Sequence, residues 1–258
     1  MEIGARIARA QVDGLGRSRR QIVAGPLAGM LHDRDDWYLS TMVAAEPGQP
    51  FGADDLPWAL ETIRQAFAAE DRWLSAELVD EASPGLAEAL EANGMTIVSR
   101  LPLLVVEPAD LVLPELPNGV TVQVVASEAD QKIADAVSSE AYEMPDSGFA
   151  FKPDPVDGGA VLVYDDDVPV ATAAWTAVAD GVSEVAGVGT IHGRRRRGYG
   201  GIATTYATVK AFELGGATLA WLTPGDDGAD RVYRRLGYTP KATAVHLGDP
   251  GGHLADLR

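Results

Sequence analysis

The residues of this chain best suited to chemistry are four consecutive arginines, Arg194 to Arg197, followed at once by Gly198-Tyr199-Gly200-Gly201. Gly198 and Gly200 lack a Cβ, so the backbone can turn tightly and approach a ligand closely. If a helix begins there, its first N–H groups point at one spot and its dipole adds partial positive charge. Arginines at the entrance supply charge-assisted hydrogen bonds to phosphate oxygens. A Gly-x-Gly alone says little. Here an apolar strand (Ser183 to Thr190) precedes it and an amphipathic helix (Gly200 to Leu214) follows, and that context makes a pyrophosphate site the reading. The Gly-Lys-Ser/Thr of a Walker A loop is absent. A dinucleotide loop would need a parallel unit, whereas the strands upstream read as an antiparallel meander.

The rest of the composition makes the arginines anomalous. The chain of 258 residues carries 21 basic and 38 acidic side chains, a net charge of −17, with a pI near 4.5. Such a field repels nucleic acid and anionic membranes and suits a cationic small molecule or basic peptide as partner. With no cysteine there is no disulfide, thiol nucleophile, acyl-cysteine intermediate or thiolate zinc site. His32, His192, His246 and His253 show no metal-ligand spacing and read as surface or turn residues, so no metal is expected. Runs such as Leu101 to Val106 are too short to span a bilayer, and the charged start of the chain offers no secretory signal. A cytoplasmic address is expected.

The elements that must position the arginine turn are legible from Val120 onward. Prolines 108, 114 and 117, with Asn118-Gly119, break regular structure and mark a joint. Val120 to Val125 reads as a strand and Ser127 as the N-cap of a helix. Tyr142 to Gly159 is irregular. A hairpin, Ala160 to Tyr164 with Val168 to Thr176, turns over Asp165-Asp166-Asp167, and Ala179-Asp180-Gly181 leads into the third strand. The helix from Gly200 is expected to bury Ile202, Tyr206, Val209 and Phe212 and to stop at Gly215-Gly216. A short strand (Thr218 to Leu222), a helix (Ala229 to Leu236) ended by Gly237, and a last strand (Tyr238 to Val245) follow. Before residue 110 the spacing predicts helices over Leu56 to Ala69 and Gly85 to Ala92, with strands over Trp73 to Val79 and Thr96 to Val106. That order echoes Thr218 to Val245 and suggests a degenerate duplicate without a phosphate loop. Trp37, Trp58 and Trp73 read as core, and Trp175 could line an acceptor pocket but is more readily core. Phe149 and Phe151 could line an acceptor pocket but are more readily core.

Two stretches resemble a known family. Arg195-Arg196-Arg197-Gly198-Tyr199-Gly200 resembles the Arg/Gln-x-x-Gly-x-Gly/Ala signature of GNAT acetyltransferases, and Ala229 to Tyr238, with Tyr233 and Gly237, resembles their Ala-x-x-x-Tyr-x-x-x-Gly-Phe. The resemblance covers roughly Val120 to Val245. It implies that Val188, Gly189 and Thr190 pair through their backbone with the pantetheine arm of acetyl-CoA. It places the pyrophosphate over Arg195, Arg196, Arg197, Gly198, Tyr199 and Gly200, with Gly201, Ile202 and Ala203 opening the helix. Tyr233 matches the residue that protonates the departing thiolate, and Glu184 the general base of one branch. The family's usual Asn seven residues before that tyrosine is Asp226 here.

The expectation is therefore an α/β (α+β) GNAT fold, a mixed, mostly antiparallel sheet flanked by helices. A degenerate GNAT-like domain (1–113) is expected to precede a catalytic one (119–258). The expected activity is acyltransferase chemistry, direct transfer of acetyl from acetyl-CoA to a primary amine in a ternary complex. The alternatives are a non-catalytic acyl-CoA sensor on the same fold, another acyl donor or acceptor, including aminoacyl transfer, and a nucleic-acid module disfavoured by the charge. The acceptor, the preferred acyl group and the oligomeric state (a homodimer among the options) are left open.

Overall fold

The structure is a computed structural model describing residues 3–144, 148, 152 and 154–254. Phe149 and Phe151 lie outside the described residues. In chain order the elements are α1 (Ile3–Gly16), β1 (Arg20–Ala24), β2 (Leu27–Leu31), β3 (Thr41–Ala44), α2 (Leu56–Ala68), β4 (Ser75–Val79), α3 (Leu86–Ala92) and β5 (Thr96–Val106). There follow β6 (Val120–Val124), α4 (Glu128–Tyr142), β7 (Gly158–Asp165), β8 (Val168–Thr176), β9 (Val182–Thr190), α5 (Tyr199–Glu213), β10 (Leu219–Leu222), α6 (Asp227–Arg235) and β11 (Thr239–Gly248).

The chain divides into two compact units, Met1–Leu103 with Pro240–Arg258, and Leu104–Thr239. The sequence puts the joint among the prolines between 108 and 117. The compact units instead exchange their closing strands. In the first unit β1, β2 and β3 form an antiparallel meander, β3 meets β4 in parallel, and β4 pairs antiparallel with β11, Ala244 opposite Val79. In the second, β6 to β9 form an antiparallel meander, β9 meets β10 in parallel, and β10 pairs antiparallel with the end of β5, Ala220 opposite Val106. The same order of elements thus runs twice, α1 through β5 and then, with β6 inserted ahead of it, α4 through β11.

Each element of the second unit has a local cause. Ser127 caps α4, its hydroxyl accepting from the Asp130 N–H, and Asp226 does the same for α6 through the Ala229 N–H. Along β7, Val161 and Val163 face α5 while Ala160 and Leu162 face α4, the two-residue alternation that a doubly covered sheet requires. The packing of α5 departs from expectation. Ile202 is buried, but Tyr206, Val209 and Phe212 are only half-buried. The deeply buried face is Ala203, Thr204, Ala207, Thr208 and Ala211. Small side chains bring the helix axis close to the sheet. The threonines are tolerated because Thr204 and Thr208 donate to carbonyls one turn back, and Thr208 also meets the Tyr238 hydroxyl at 2.7 Å.

The first unit has its own core, α2 packing Leu60, Ile63 and Phe67 with Leu27 of β2 and with Val245 and Leu247 of β11. The tryptophan expectations are only partly met. Trp175 is buried, its indole N–H donating to Pro155, while Trp58 is 61% exposed and Trp37 and Trp73 are half-buried beside His253. His246 is not a turn residue; it sits half-buried within β11, 3.0 Å from the Ser99 hydroxyl.

The exchange of closing strands yields a prediction. A fragment of residues 119–258 lacks the segment that pairs with β10 and carries β11 without β4. Its amide NMR spectrum is expected to show poor dispersion, and a well-dispersed spectrum would contradict this account of the fold.

Candidate functional site

Every residue singled out from the sequence for chemistry lies in the second unit. The site begins where β9 leaves β10. The two strands pair only at Val182, Ser183 and Glu184, opposite Leu219, Ala220 and Trp221, whereas β9 stays paired with β8 as far as Thr190. Beyond residue 184 one edge of β9 is therefore open.

A bulge then re-aims that edge. Between the pairs Ala174–Ala186 and Thr172–Gly189, β9 carries one residue more than β8, and Gly187 has φ +59°, a left-handed conformation glycine accepts without penalty. Before the bulge Val185 faces α5 and Glu184 the opposite side. After it, Gly189 faces α4, so closely that a Cβ there would lie 2.8 Å from Ala141 Cβ. Val188 and Thr190 now face the start of α5, where they are the nearest neighbours of Gly200. Glycine inside an apolar strand is the sequence signal that could have revealed the bulge.

Backbone polarity at the open edge follows from the same register. The Ile191 N–H bonds the Val170 carbonyl on β8, so by alternation the backbone groups of Val188 and Thr190 point away from β8. Their carbonyls are taken by side chains. The Tyr142 hydroxyl donates to Val188 O at 3.0 Å, and Arg195 Nε donates to Thr190 O at 3.2 Å. The N–H groups of Val188 and Thr190 are left facing the opening, an edge that presents donors.

The arginine turn divides its labour. Arg194 pairs with Asp165, and Arg195 bridges Thr190 O and Ala141 O, the latter at 2.6 Å. Arg195, expected over phosphate, is thus tied to main-chain carbonyls. Arg196 (φ +64°) and Arg197 are exposed. Gly198 (φ +89°) is the N-cap of α5, and the first bond of the helix runs from the Ile202 N–H to the Gly198 carbonyl. The N–H groups of Tyr199, Gly200 and Gly201 consequently have no partner within the helix and converge beside the exposed arginines. Free N–H groups beside exposed guanidinium groups are an arrangement suited to an anion.

Tyr233 packs its ring in the α5-side core, 6.2 Å from the Tyr238 ring. Burial raises its pKa well above the ordinary phenol value, and the nearby Tyr142 hydroxyl and Asp226 carboxylate raise it further. Burial also pushes Tyr142, whose hydroxyl donates to Val188 O, up to about 12. Both phenols are therefore proton donors throughout the neutral range. Asp226, where the family has Asn, serves as the α6 cap. Glu184 lies at the fork as the register partner of Trp221, its N–H bonded to the Thr176 hydroxyl. It is on the face opposite Val185, whereas Tyr233 packs on the α5 side. The structure thus brings Val188 to Thr190 against Gly198 to Ala203, with Tyr233 in the same core, and sets Glu184 on the other face of the sheet. Among the described residues no group of three or more His, Asp or Glu side chains could hold a metal ion, and no helix is long and apolar enough to cross a membrane.

Comparison with known proteins agrees with this geometry. Residues 127–238 match the model of the Acetyltransferase (GNAT) family. A solved structure described as a GCN5-related N-acetyltransferase from Kribbella flavida is 71% identical, matches over 100% of both chains and superposes with a TM-score of 0.91. A GCN5-related N-acetyltransferase from Sphaerobacter thermophilus shares the fold at 18% identity and a TM-score of 0.62, over 88% of this chain and 78% of that one. A tandem GNAT protein from the clavulanic acid biosynthesis pathway does so at 13% and 0.59, over 89% and 80%. No curated protein matches. With a fold that parts its strands beside a glycine-capped helix, and a relative 71% identical along its full length, the chain belongs to the GCN5-related N-acetyltransferase (GNAT) family.

Proposed function

We propose that the second unit transfers an acetyl group from acetyl-CoA to a primary amine in a ternary complex. The observation that carries this reading is the open edge of β9 lying beside the N-terminus of α5. One end of that groove offers strand N–H groups to a carbonyl and an amide-bearing arm. The other offers helix N–H groups with Arg196 and Arg197 to a pyrophosphate. A donor carrying both, such as acetyl-CoA, fits the pair of features better than a nucleotide alone.

In this mechanism the amine nitrogen attacks the thioester carbon and a C–N bond forms. The negative charge developing on the carbonyl oxygen is met by the preorganised N–H groups at Val188 and Thr190. Collapse breaks the C–S bond, and Tyr233 donates its proton to the departing thiolate. The proton released by the amine passes to Glu184 or to a water chain, and solvent exchange returns the phenol to its neutral form. The products are an N-substituted acetamide and the free thiol.

The chain's net charge of −17 supports a cationic small molecule or basic peptide as acceptor and argues against nucleic acid. A cytoplasmic setting belongs to the same proposal. So does a tandem origin, the first unit being a degenerate copy. Its repeated element order supports this. The segment leading into α2 carries Glu46, Asp54 and Asp55 where the second unit has arginines, and Pro57 removes an N–H from the helix start.

Calorimetric titration with acetyl-CoA, using NAD and ATP as controls, tests the reading. Saturable binding of acetyl-CoA alone is expected, and its absence would sink it. Binding without thiol release from any amine would leave the sensor alternative. Tyr233→Phe is expected to lower the maximal rate about 100-fold while the affinity for acetyl-CoA stays within about twofold. An unchanged rate would remove Tyr233 from proton transfer. Because the pKa of Tyr233 is raised, its proton is retained as pH increases, so the wild-type rate should show no alkaline fall below pH ~10. Paired replacement of Arg196 and Arg197 by Ala should weaken binding about tenfold or more, measured by the same titration.

A further inference from the structure

Asp165 was not expected to matter from sequence. It closes β7 at the turn of the β7–β8 hairpin, and its side chain is only 16% exposed. One carboxylate oxygen, Oδ2, accepts from both Arg194 Nη1 and the Tyr199 hydroxyl, the latter at 2.7 Å. Those two partners are the residues that bracket the arginine-glycine turn. Arg194 closes the short turn after β9, and Tyr199 is the first residue of α5, its ring buried in the core. Between them the backbone holds two left-handed residues, Arg196 and Gly198. Gly198 takes that conformation freely. For Arg196 it is strained, and the surrounding structure must hold it in place.

We propose that Asp165 is a positioning residue that clamps both ends of this turn, fixing it in the conformation that receives the pyrophosphate. The clamp rests on the acetyl-CoA reading. Electrostatics sharpens the argument. A carboxylate beneath an anion site opposes the ligand's charge, so its contribution must come through geometry, and the geometry is a single oxygen shared between the two flanks. It also turns Arg194 towards the hairpin, while Arg196 and Arg197 stay exposed, Arg197 beside the Tyr199 hydroxyl.

The test is calorimetric titration of the full chain with acetyl-CoA and, separately, with free coenzyme A, which keeps the pyrophosphate but lacks the thioester. Wild type, Asp165→Ala, Asp165→Asn and Tyr199→Phe are compared. Asp165→Ala should weaken both ligands by the same factor, about tenfold. Tyr199→Phe should weaken both about threefold, and Asp165→Asn, which keeps an acceptor oxygen, should recover most of the loss. Equal affinities for wild type and Asp165→Ala would overturn the clamp. So would a loss confined to acetyl-CoA, which would put the effect of Asp165 at the thioester end. If Asp165→Ala does not fold, Tyr199→Phe and Asp165→Asn decide alone. Tyr199→Phe with wild-type affinity for both ligands would refute the clamp. Wild-type protein that binds no acetyl-CoA would instead refute the functional reading on which the clamp rests.

Discussion

The second unit is organised around one constraint, the early parting of two parallel strands. β9 and β10 hold together for three residue pairs and then separate. A strand edge left open carries unpaired N–H and C=O groups, which a folded protein must pair, cover or use. Here the carbonyls are paired by side chains, Tyr142 on Val188 and Arg195 on Thr190, while the N–H groups are left for use. The bulge at Gly187 makes the separation productive, because one extra residue turns Val188 and Thr190 towards α5.

The same separation explains why four adjacent arginines play unequal parts. Two satisfy acceptors that the fold creates, Arg195 on carbonyls at the open edge and at the end of α4, and Arg194 on the hairpin carboxylate. Only after those are met do Arg196 and Arg197 stand exposed beside the helix start.

The helix, strand and hairpin pattern from Val120 onward was legible because turn residues and caps are local signals. Ser127, the Asp165 to Asp167 turn and Gly237 each act within a few positions of where they stand. The glycine-capped helix was legible for the same reason, whereas Tyr233 was singled out only by the resemblance of Ala229 to Tyr238 to a family signature. What the sequence hid is non-local. Asp165 reaches partners 29 and 34 residues away, Arg195 reaches back 54, and neither spacing carries a pattern. The α5 face was misjudged because size, not hydropathy, selects its buried residues. The first three strands escaped notice because they are only four or five residues long, and α1 because Gly4, Gly14 and Gly16 weaken its helical pattern.

The exchange of closing strands sets an order of assembly. Residues 104–239 contain the whole second unit, so it can close without any later segment. The first unit needs Pro240–Arg258 and must wait. Until β11 emerges, β4 has one edge with no strand beside it, a template for stray pairing with any extended chain nearby. The part of the protein made first is therefore the part finished last, and during synthesis the N-terminal half is the more dependent on chaperone protection.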